Sequence, residues 1–280
     1  MAATPTLADK LHGLEKLLAG MESLLIAFSG GVDSTLLLRV TSGIPGIRHL
    51  ALTTDSPTNT AEEIMEARRL AAQFGSPHRV VAVDELSTPG YAANPDNRCY
   101  LCKQTLYPLC FDTARHQGLA WVADGVNLDD LSDYRPGLAA AAEMGVRHPL
   151  VEAGLTKGEV RRLSARLGLP TADRPASPCL SSRFPYGTRI TRQRLAQVAR
   201  AEAVMRAFGF VELRVRHLGA GARVEVSRPE LPRLTDPGLR AKVRERLEKE
   251  GFSKVEISAE PLRSGSLNDR LVDGGGRTAP

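Results

Sequence analysis

The segment Ser29-Gly-Gly-Val-Asp-Ser-Thr-Leu-Leu37 holds the residues best suited to grip an anion. Gly30 and Gly31 permit a tight turn that exposes backbone N–H groups. Ser29, Ser34 and Thr35 add hydroxyl donors. A helix starting here adds the positive end of its dipole. Asp33 is out of place beside a phosphate unless a divalent cation mediates, so the pattern points to a nucleotide bound with Mg²⁺. No Gly-Lys-Ser/Thr follows the glycines, which excludes the Walker type of phosphate loop. Thiols form a second group. Cys99-Tyr-Leu-Cys102 puts two of them on one helical face, and Cys179 lies far downstream. Three thiols fall one short of a closed structural zinc site. Three can hold a [4Fe–4S] cluster and leave one iron open. A redox pair, or buried cysteines without a role, fit the same spacing. Arginine forms the third group. From Arg183 to Arg228 there are ten arginines, no lysine and three glutamates. That suits bidentate capture of carboxylate or phosphate, although a solvated basic face competes as the reading of any single arginine.

The elements that must position these residues are legible as well. Leu7, Leu11, Leu14, Leu17 and Leu18 recur at helical spacing and predict a first helix. The apolar run 24–28 reads as a buried parallel strand, and Leu36, Leu37, Leu38 and Val40 as the buried side of the helix after the glycines. A strand over 47–54 ends in Asp55-Ser56-Pro57. The capping box Thr60-Ala-Glu-Glu63 opens a helix to about Phe74. A strand over 78–83, a loop over 91–98 and a helix over 99–117, irregular near Pro108, follow. Next come a strand over 119–123, the polar run Asp124-Gly-Val-Asn127 and a helix over 136–144. A second capping box, Thr156-Lys-Gly-Glu159, opens a helix to about Leu167. Strands alternating with helices predict a doubly wound α/β domain with a parallel sheet over 1–170. Ligands in such sheets bind at the carboxyl ends of the strands. The glycine turn, Asp55, Ser56, Gly125 and Asn127 all fall there, which predicts one nucleotide site.

The pattern changes near residue 170. Helices over 191–208 and 237–250 and strands over 211–216, 222–226 and 255–257 predict a smaller α+β domain over 171–262. Arg214 and Arg216 alternate with Leu213 and Val215, so the strand is expected to show one polar face. The segment 174–187 around Cys179 reads as a functional loop, with a proline-rich linker as the plainer alternative. The tail 263–280 is expected to be disordered. The chain has 280 residues, 42% of them hydrophobic and 25% charged, with net charge +5. That balance suits a globular protein with an anionic ligand. No apolar stretch reaches membrane-spanning length and no secretory signal is read. The cytoplasm is therefore the expected compartment, where four cysteines do not imply a disulfide framework.

The glycine turn resembles the PP-loop of ATP pyrophosphatases, which split ATP between the α and β phosphates and pass AMP to an oxygen of the substrate. The segments 124–137, 145–150, 175–183 and 213–217 extend the likeness. From about Leu11 to Glu260 the chain is similar to the LarE family, ATP-dependent sulfur transferases of nickel-pincer nucleotide synthesis, which supply the cofactor of lactate racemase. The resemblance implies that ATP adenylylates a carboxylate of pyridinium-3,5-biscarboxylic acid mononucleotide. Sulfur then displaces AMP and leaves a thiocarboxylate. Some members sacrifice the cysteine matching Cys179, which becomes dehydroalanine. Others, with two further cysteines, bind a [4Fe–4S] cluster carrying an extra sulfide. With Cys99 and Cys102 beside Cys179, this chain resembles the second kind.

The resemblance also implies ATP contacts from Ser29, Gly30, Gly31, Asp33, Ser34, Thr35, Asp55, Ser56, Gly125 and Asn127, with Mg²⁺ on Asp33. It implies substrate contacts from Ser182, Arg183, Glu202, Arg214, Arg216 and Glu230, a sulfide donor as partner, and a homohexamer. Cys110 matches no motif and reads as structural. The competing enzyme is a PP-loop tRNA thiolation protein. Aromatics at 5% and the lack of zinc-ribbon cysteines argue against a nucleic-acid partner. An amide-forming PP-loop ligase would need a glutaminase domain, and a nucleotide sensor would have no need of the thiols and arginines.

Overall fold

Thr6, Thr60 and Thr156 start three helices in the same way. Each hydroxyl accepts from the backbone N–H three residues on, and Asp9, Glu63 and Glu159 reach back to the capping residue. These local signals set the frame of a computed structural model that describes residues 5–132, 135–263 and 265. The chain forms two compact units, Met1–Thr88 with Asn97–Ser177, and Pro89–Asp96 with Pro178–Pro280.

The first unit is a doubly wound α/β domain. Its strands are β1 (Ser23–Ala27), β2 (Arg48–Asp55), β3 (His78–Ala82) and β4 (Trp121–Ala123), all parallel and ordered β3-β2-β1-β4. The helices are α1 (Leu7–Met21), α2 (Val32–Ser42), α3 (Ala61–Gln73), α4 (Arg98–His116), α5 (Pro136–Met144), α6 (Pro149–Glu152) and α7 (Lys157–Arg166). Strand β1 is central and its side chains alternate between two cores. Leu24 and Ile26 pack with Leu14, Leu36, Ala67 and Val160, whereas Leu25 packs with Leu52, Tyr107, Cys110, Val122 and Ala141. Helix α4 runs through Pro108 without a break in its assignment. Strand β4 is shorter than the sequence suggests, because Leu119 N still closes the preceding helix on Ala114 O and Ala120 N donates to Ser23 Oγ. A parallel bridge from Ala123 to Arg147 continues the sheet beyond β4. Among the described residues, no helix is long and apolar enough to cross a membrane.

The second unit holds α8 (Arg192–Ala207), β5 (Leu213–Leu218), β6 (Gly221–Val226), α9 (Leu231–Thr235), α10 (Pro237–Lys249) and β7 (Lys254–Ile257). Strand β6 is central, antiparallel to β5 and parallel to β7. The sequence draws the domain boundary at 170; the compact units divide after Ser177. The short segment Pro89–Asp96 joins the second unit. Tyr91 hydrogen-bonds Ser181 at 2.8 Å, and the buried Asn94 donates to Phe184 O and Pro185 O. The expected polar face of β5 is buried. Arg214, Arg216 and His217 are as buried as Leu213 and Val215, and Val211 lies outside the strand, 72% exposed. The turn Leu180–Arg183 packs on β5, where Ser182 O accepts from Arg216, while Ala201 and Met205 of α8 share a core with Leu213 and Val215. Of the expected tail over 263–280, residues 264 and 266–280 lie outside the described residues, as do 133 and 134.

Candidate active site

The expected phosphate loop forms at the carboxyl end of β1. Gly30 adopts φ +71°, and a Cβ there would sit 3.4 Å from Ala67 Cα of α3, so a glycine fits both the turn and the close packing. Gly31 caps α2 without a side-chain hydrogen bond, so no capping side chain takes up the first N–H groups of the helix. Ser29 Oγ accepts from Gly31 N at 3.3 Å and lies 3.2 Å from Ser34 Oγ. Thr35 is fully buried, and its hydroxyl has no hydrogen-bond partner among the described residues.

The polar run after β4 closes onto this loop. Asn127 donates to Asp33 Oδ1 at 3.2 Å and to Asp130 Oδ2 at 2.8 Å. Lys157, the first residue of α7, donates to Asp33 Oδ2 at 2.5 Å. The sequence reading overlooked Lys157, whose signal is its place just inside the Thr156 capping box, on a helix that packs against α2. Asp33 thus offers one carboxylate at a phosphate-binding helix start, a donor set that fits Mg²⁺ shared with nucleotide phosphates. Gly125 abuts α2: a Cβ there would lie 2.7 Å from Ser34 N and 3.1 Å from Asp33 C. Gly125→Ala should therefore push the first turn of α2 aside. The expected cost is about 1–3 kcal/mol of stability, with ATP affinity falling with it. Calorimetric titration with a non-hydrolysable ATP analogue checks this, and wild-type affinity would contradict it.

On the β2 side, Asp55 is exposed and Ser56 buried. Ser56 Oγ lies 2.8 Å from Thr58 Oγ1 and donates to Asn59 Oδ1 at 3.1 Å. Behind it sits Glu85, also missed in the sequence. Burial pushes its carboxyl above the ordinary range, and Oε2 has no partner among the described residues. Arg174 donates to the loop carbonyl of Gly30 and to Glu66 Oε1, both at 3.1 Å, while Arg161 holds the carbonyls of Ala172 and Arg174.

The thiols divide between the units. Cys99 is exposed and Cys102 half-buried on the first turns of α4 in the first unit, and half-buried Cys179 belongs to the second. Spacing i, i+3 puts Cys99 and Cys102 on one face of α4. Among the described residues no three metal-binding side chains are gathered. Cys110 is fully buried and burial pushes its thiol up to about 12, which keeps it protonated and apolar in the core.

In the second unit Arg183 organises the Cys179 turn. Its Nη1 donates to Pro178 O at 2.5 Å, Cys179 O at 3.3 Å and Ser182 Oγ at 2.9 Å. Its Nε and Nη2 meet both oxygens of Glu202 at 2.8 and 3.0 Å. Glu202, at 0% exposure, also accepts from Val215 N on the edge of β5. Arg216 pairs with Glu225 at 3.0 Å and donates to Ser182 O at 2.8 Å. Arg214 differs. It is 5% exposed, and among the described residues its guanidinium has no hydrogen-bond or ion-pair partner. Burial, then Arg216 and Arg183, bring its pKa down to about 10. It remains cationic at neutral pH; the charges of Glu225, opposite it on β6, and of Glu202 act on it without forming an ion pair among the described residues. Glu230 accepts from the N–H groups of Val211 and Glu212 and from Ser227 Oγ, anchoring the entry to β5.

No family model matches the chain. Individual relatives do. An uncharacterised protein of Synechocystis is 42% identical over 266 residues, covering 95% of this chain and 99% of the relative. The pyridinium-3,5-bisthiocarboxylic acid mononucleotide synthase of Lactiplantibacillus plantarum is 38% identical over 269 residues, covering 95% of this chain and 96% of that enzyme. The tRNA-specific 2-thiouridylase MnmA of Thermus thermophilus is 31% identical over 198 residues, but covers only 56% of this chain and 53% of its own. The distant match supports the PP-loop superfamily, and the near-complete one is specific: the chain belongs to the LarE family of sulfur-transferring PP-loop enzymes.

Proposed function

We propose that this enzyme uses ATP to adenylylate a carboxylate of pyridinium-3,5-biscarboxylic acid mononucleotide and then replaces a carboxylate oxygen with sulfur. The observation that carries the reading is the loop at β1: a lysine-free anion cradle on a helix start, with Asp33 beside it. Such a cradle suits a Mg²⁺-bound triphosphate and leaves the α phosphate open to an incoming oxygen. The printed name of the Lactiplantibacillus relative supports the choice of product. Arg214 supports an anionic substrate, because a buried guanidinium without a partner is stabilised by gaining one.

The division of labour follows from the residues. In the first unit the loop amides, Ser29 and Ser34 hold phosphate oxygens, while Asp33 would hold Mg²⁺ and Lys157 and Asn127 orient it. The α-phosphorus is attacked by a carboxylate oxygen, and pyrophosphate leaves with the bonding electron pair. In the second unit Arg214 takes a substrate phosphate or carboxylate, and Arg183 with Glu202 holds the turn of Cys179. Cys99, Cys102 and Cys179 would hold a [4Fe–4S] cluster, which would supply sulfide; the sulfide adds to the activated carbonyl carbon and AMP leaves with the carboxylate oxygen and the bonding electron pair. A sulfide donor would be the partner, and a homo-oligomer in the cytoplasm is the working form.

The test is an anaerobic incubation of reconstituted protein with ATP, Mg²⁺, sulfide and the mononucleotide. Mass spectrometry should find oxygen replaced by sulfur at a carboxylate. Conversion of a tRNA base under the same conditions, with the mononucleotide untouched, would overturn the proposal.

A further inference from the structure

A buried polar network at the carboxyl end of β4 has no part in the scheme so far. Asp124 lies at its centre, 6% exposed. Tyr107 of α4 donates to its Oδ2 at 2.7 Å, and His148 Nδ1 lies 2.7 Å from its Oδ1. Asp124 N donates to Arg147 O, so His148 follows directly on the Ala123–Arg147 bridge, at the ligand-binding end of the sheet. The next residue, Gly125, is packed on the start of α2. Because Asp124 occupies Nδ1, the other ring nitrogen is left to face outward. The side chain is 19% exposed, and among the described residues no partner meets Nε2.

We propose that His148, positioned through Nδ1 by Asp124, which Tyr107 holds in turn, donates its Nε2–H to the carboxylate that is to be adenylylated. The proposal rests on the adenylylation reading above. An anionic carboxylate must approach an anionic α phosphate, and a fixed cation lowers that repulsion. The loop amides already serve the phosphates at β1, and Asp55 and Ser56 lie on the β2 side. His148 lies on the other flank, beyond β4, and that side is the one the proposal gives to the acceptor. No proton is transferred: the carboxylate oxygen forms the new bond to phosphorus, the bond to the β-phosphate oxygen breaks, and His148 stays protonated.

The surrounding charges favour the imidazolium. Burial opposes it, but the hydrogen bond and charge of Asp124, with the charge of Glu152 on α6, raise its pKa; Lys103 on α4 pulls the other way. Arg147, its neighbour in sequence, is paired with Glu152 and stacked on Trp121. A raised pKa means that the charged form dominates below about 6.5 and is lost only as pH rises through a higher value. Activity should therefore fall on the alkaline side.

The experiment compares wild type, His148→Gln and Asp124→Asn in pyrophosphate release and in ATP binding. His148→Gln should raise the KM for the mononucleotide roughly tenfold or more, leave ATP affinity within about twofold, and remove the alkaline limb. Asp124→Asn should move that limb to lower pH. A second arm needs no turnover: the imidazole NMR signals of His148 in the wild type are followed while pyridine-3,5-dicarboxylate is added. The pKa of His148 should rise as this dianion binds. If wild type releases no pyrophosphate, the functional reading fails, and this arm alone judges the site. An unchanged KM in His148→Gln, an equal loss of ATP affinity, or an NMR titration blind to the dicarboxylate would overturn the proposal.

Discussion

Glu202→Ala should destabilise the protein by about 3–5 kcal/mol, the usual cost of removing one partner from a buried ion pair. Arg183 and Glu202 are 4% and 0% exposed and joined by two hydrogen bonds. The substitution takes from a buried guanidinium the carboxylate that meets its Nε and Nη2. It also strips Val215 N of its acceptor and Arg206 of an ion pair. Calorimetry should show the transition several degrees lower. Because Arg183 also clasps the carbonyls of Pro178 and Cys179, sulfur transfer should be lost even below that transition. Glu202→Gln keeps the shape and should lie between the two. A melting temperature within about one degree of wild type for Glu202→Ala would show that the pair contributes nothing.

Cysteine-to-alanine changes should have the largest effect on chemistry. Replacing Cys99, Cys102 or Cys179 should abolish both the brown chromophore and sulfur transfer, while pyrophosphate release persists. The separation is expected because the phosphate loop and Asp33 are held by Asn127 and Lys157 rather than by any thiol. Cys110→Ala should do neither, since that thiol is a buried core group. Iron and sulfide analysis with absorbance spectra provides the check. After turnover the mass of Cys179 should be unchanged. Loss of H₂S from Cys179 after a single turnover would instead establish the sacrificial route and leave Cys99 and Cys102 without a part in it.

What the sequence disclosed was mostly local. The apolar run before Ser29, the glycine turn and the capping boxes at Thr60 and Thr156 act over a few residues, so the parallel α/β class and the glycine turn follow from pattern alone, whereas the strand order does not. The partners of the site residues are not local. Lys157 reaches Asp33 from 124 residues away, and His148 reaches Asp124 from 24. Only the closing of the sheet brings either pair together. The burial of the strand at 213–218 was hidden for a related reason. Alternating arginines read as one polar face, and nothing local says that the Cys179 turn packs on it or that Glu202 and Glu225 make burial of Arg183 and Arg216 tolerable. Arg214 is the exception: buried and within the charge field of Glu225 and Glu202, it forms no ion pair among the described residues, which composition cannot reveal. The segment at 89–96 had no readable signal either. It joins the second unit through Tyr91 and Asn94, whose partners lie about 90 residues away.

The central claim is that ATP is cut between its α and β phosphates to activate a carboxylate. The direct measurement is the phosphorus-31 NMR spectrum of an anaerobic mixture of reconstituted protein, ATP, Mg²⁺, sulfide and pyridinium-3,5-biscarboxylic acid mononucleotide. The account predicts pyrophosphate and AMP in equal amounts, dependent on the mononucleotide and lost in Asp33→Ala. Orthophosphate and ADP as the first products would contradict it.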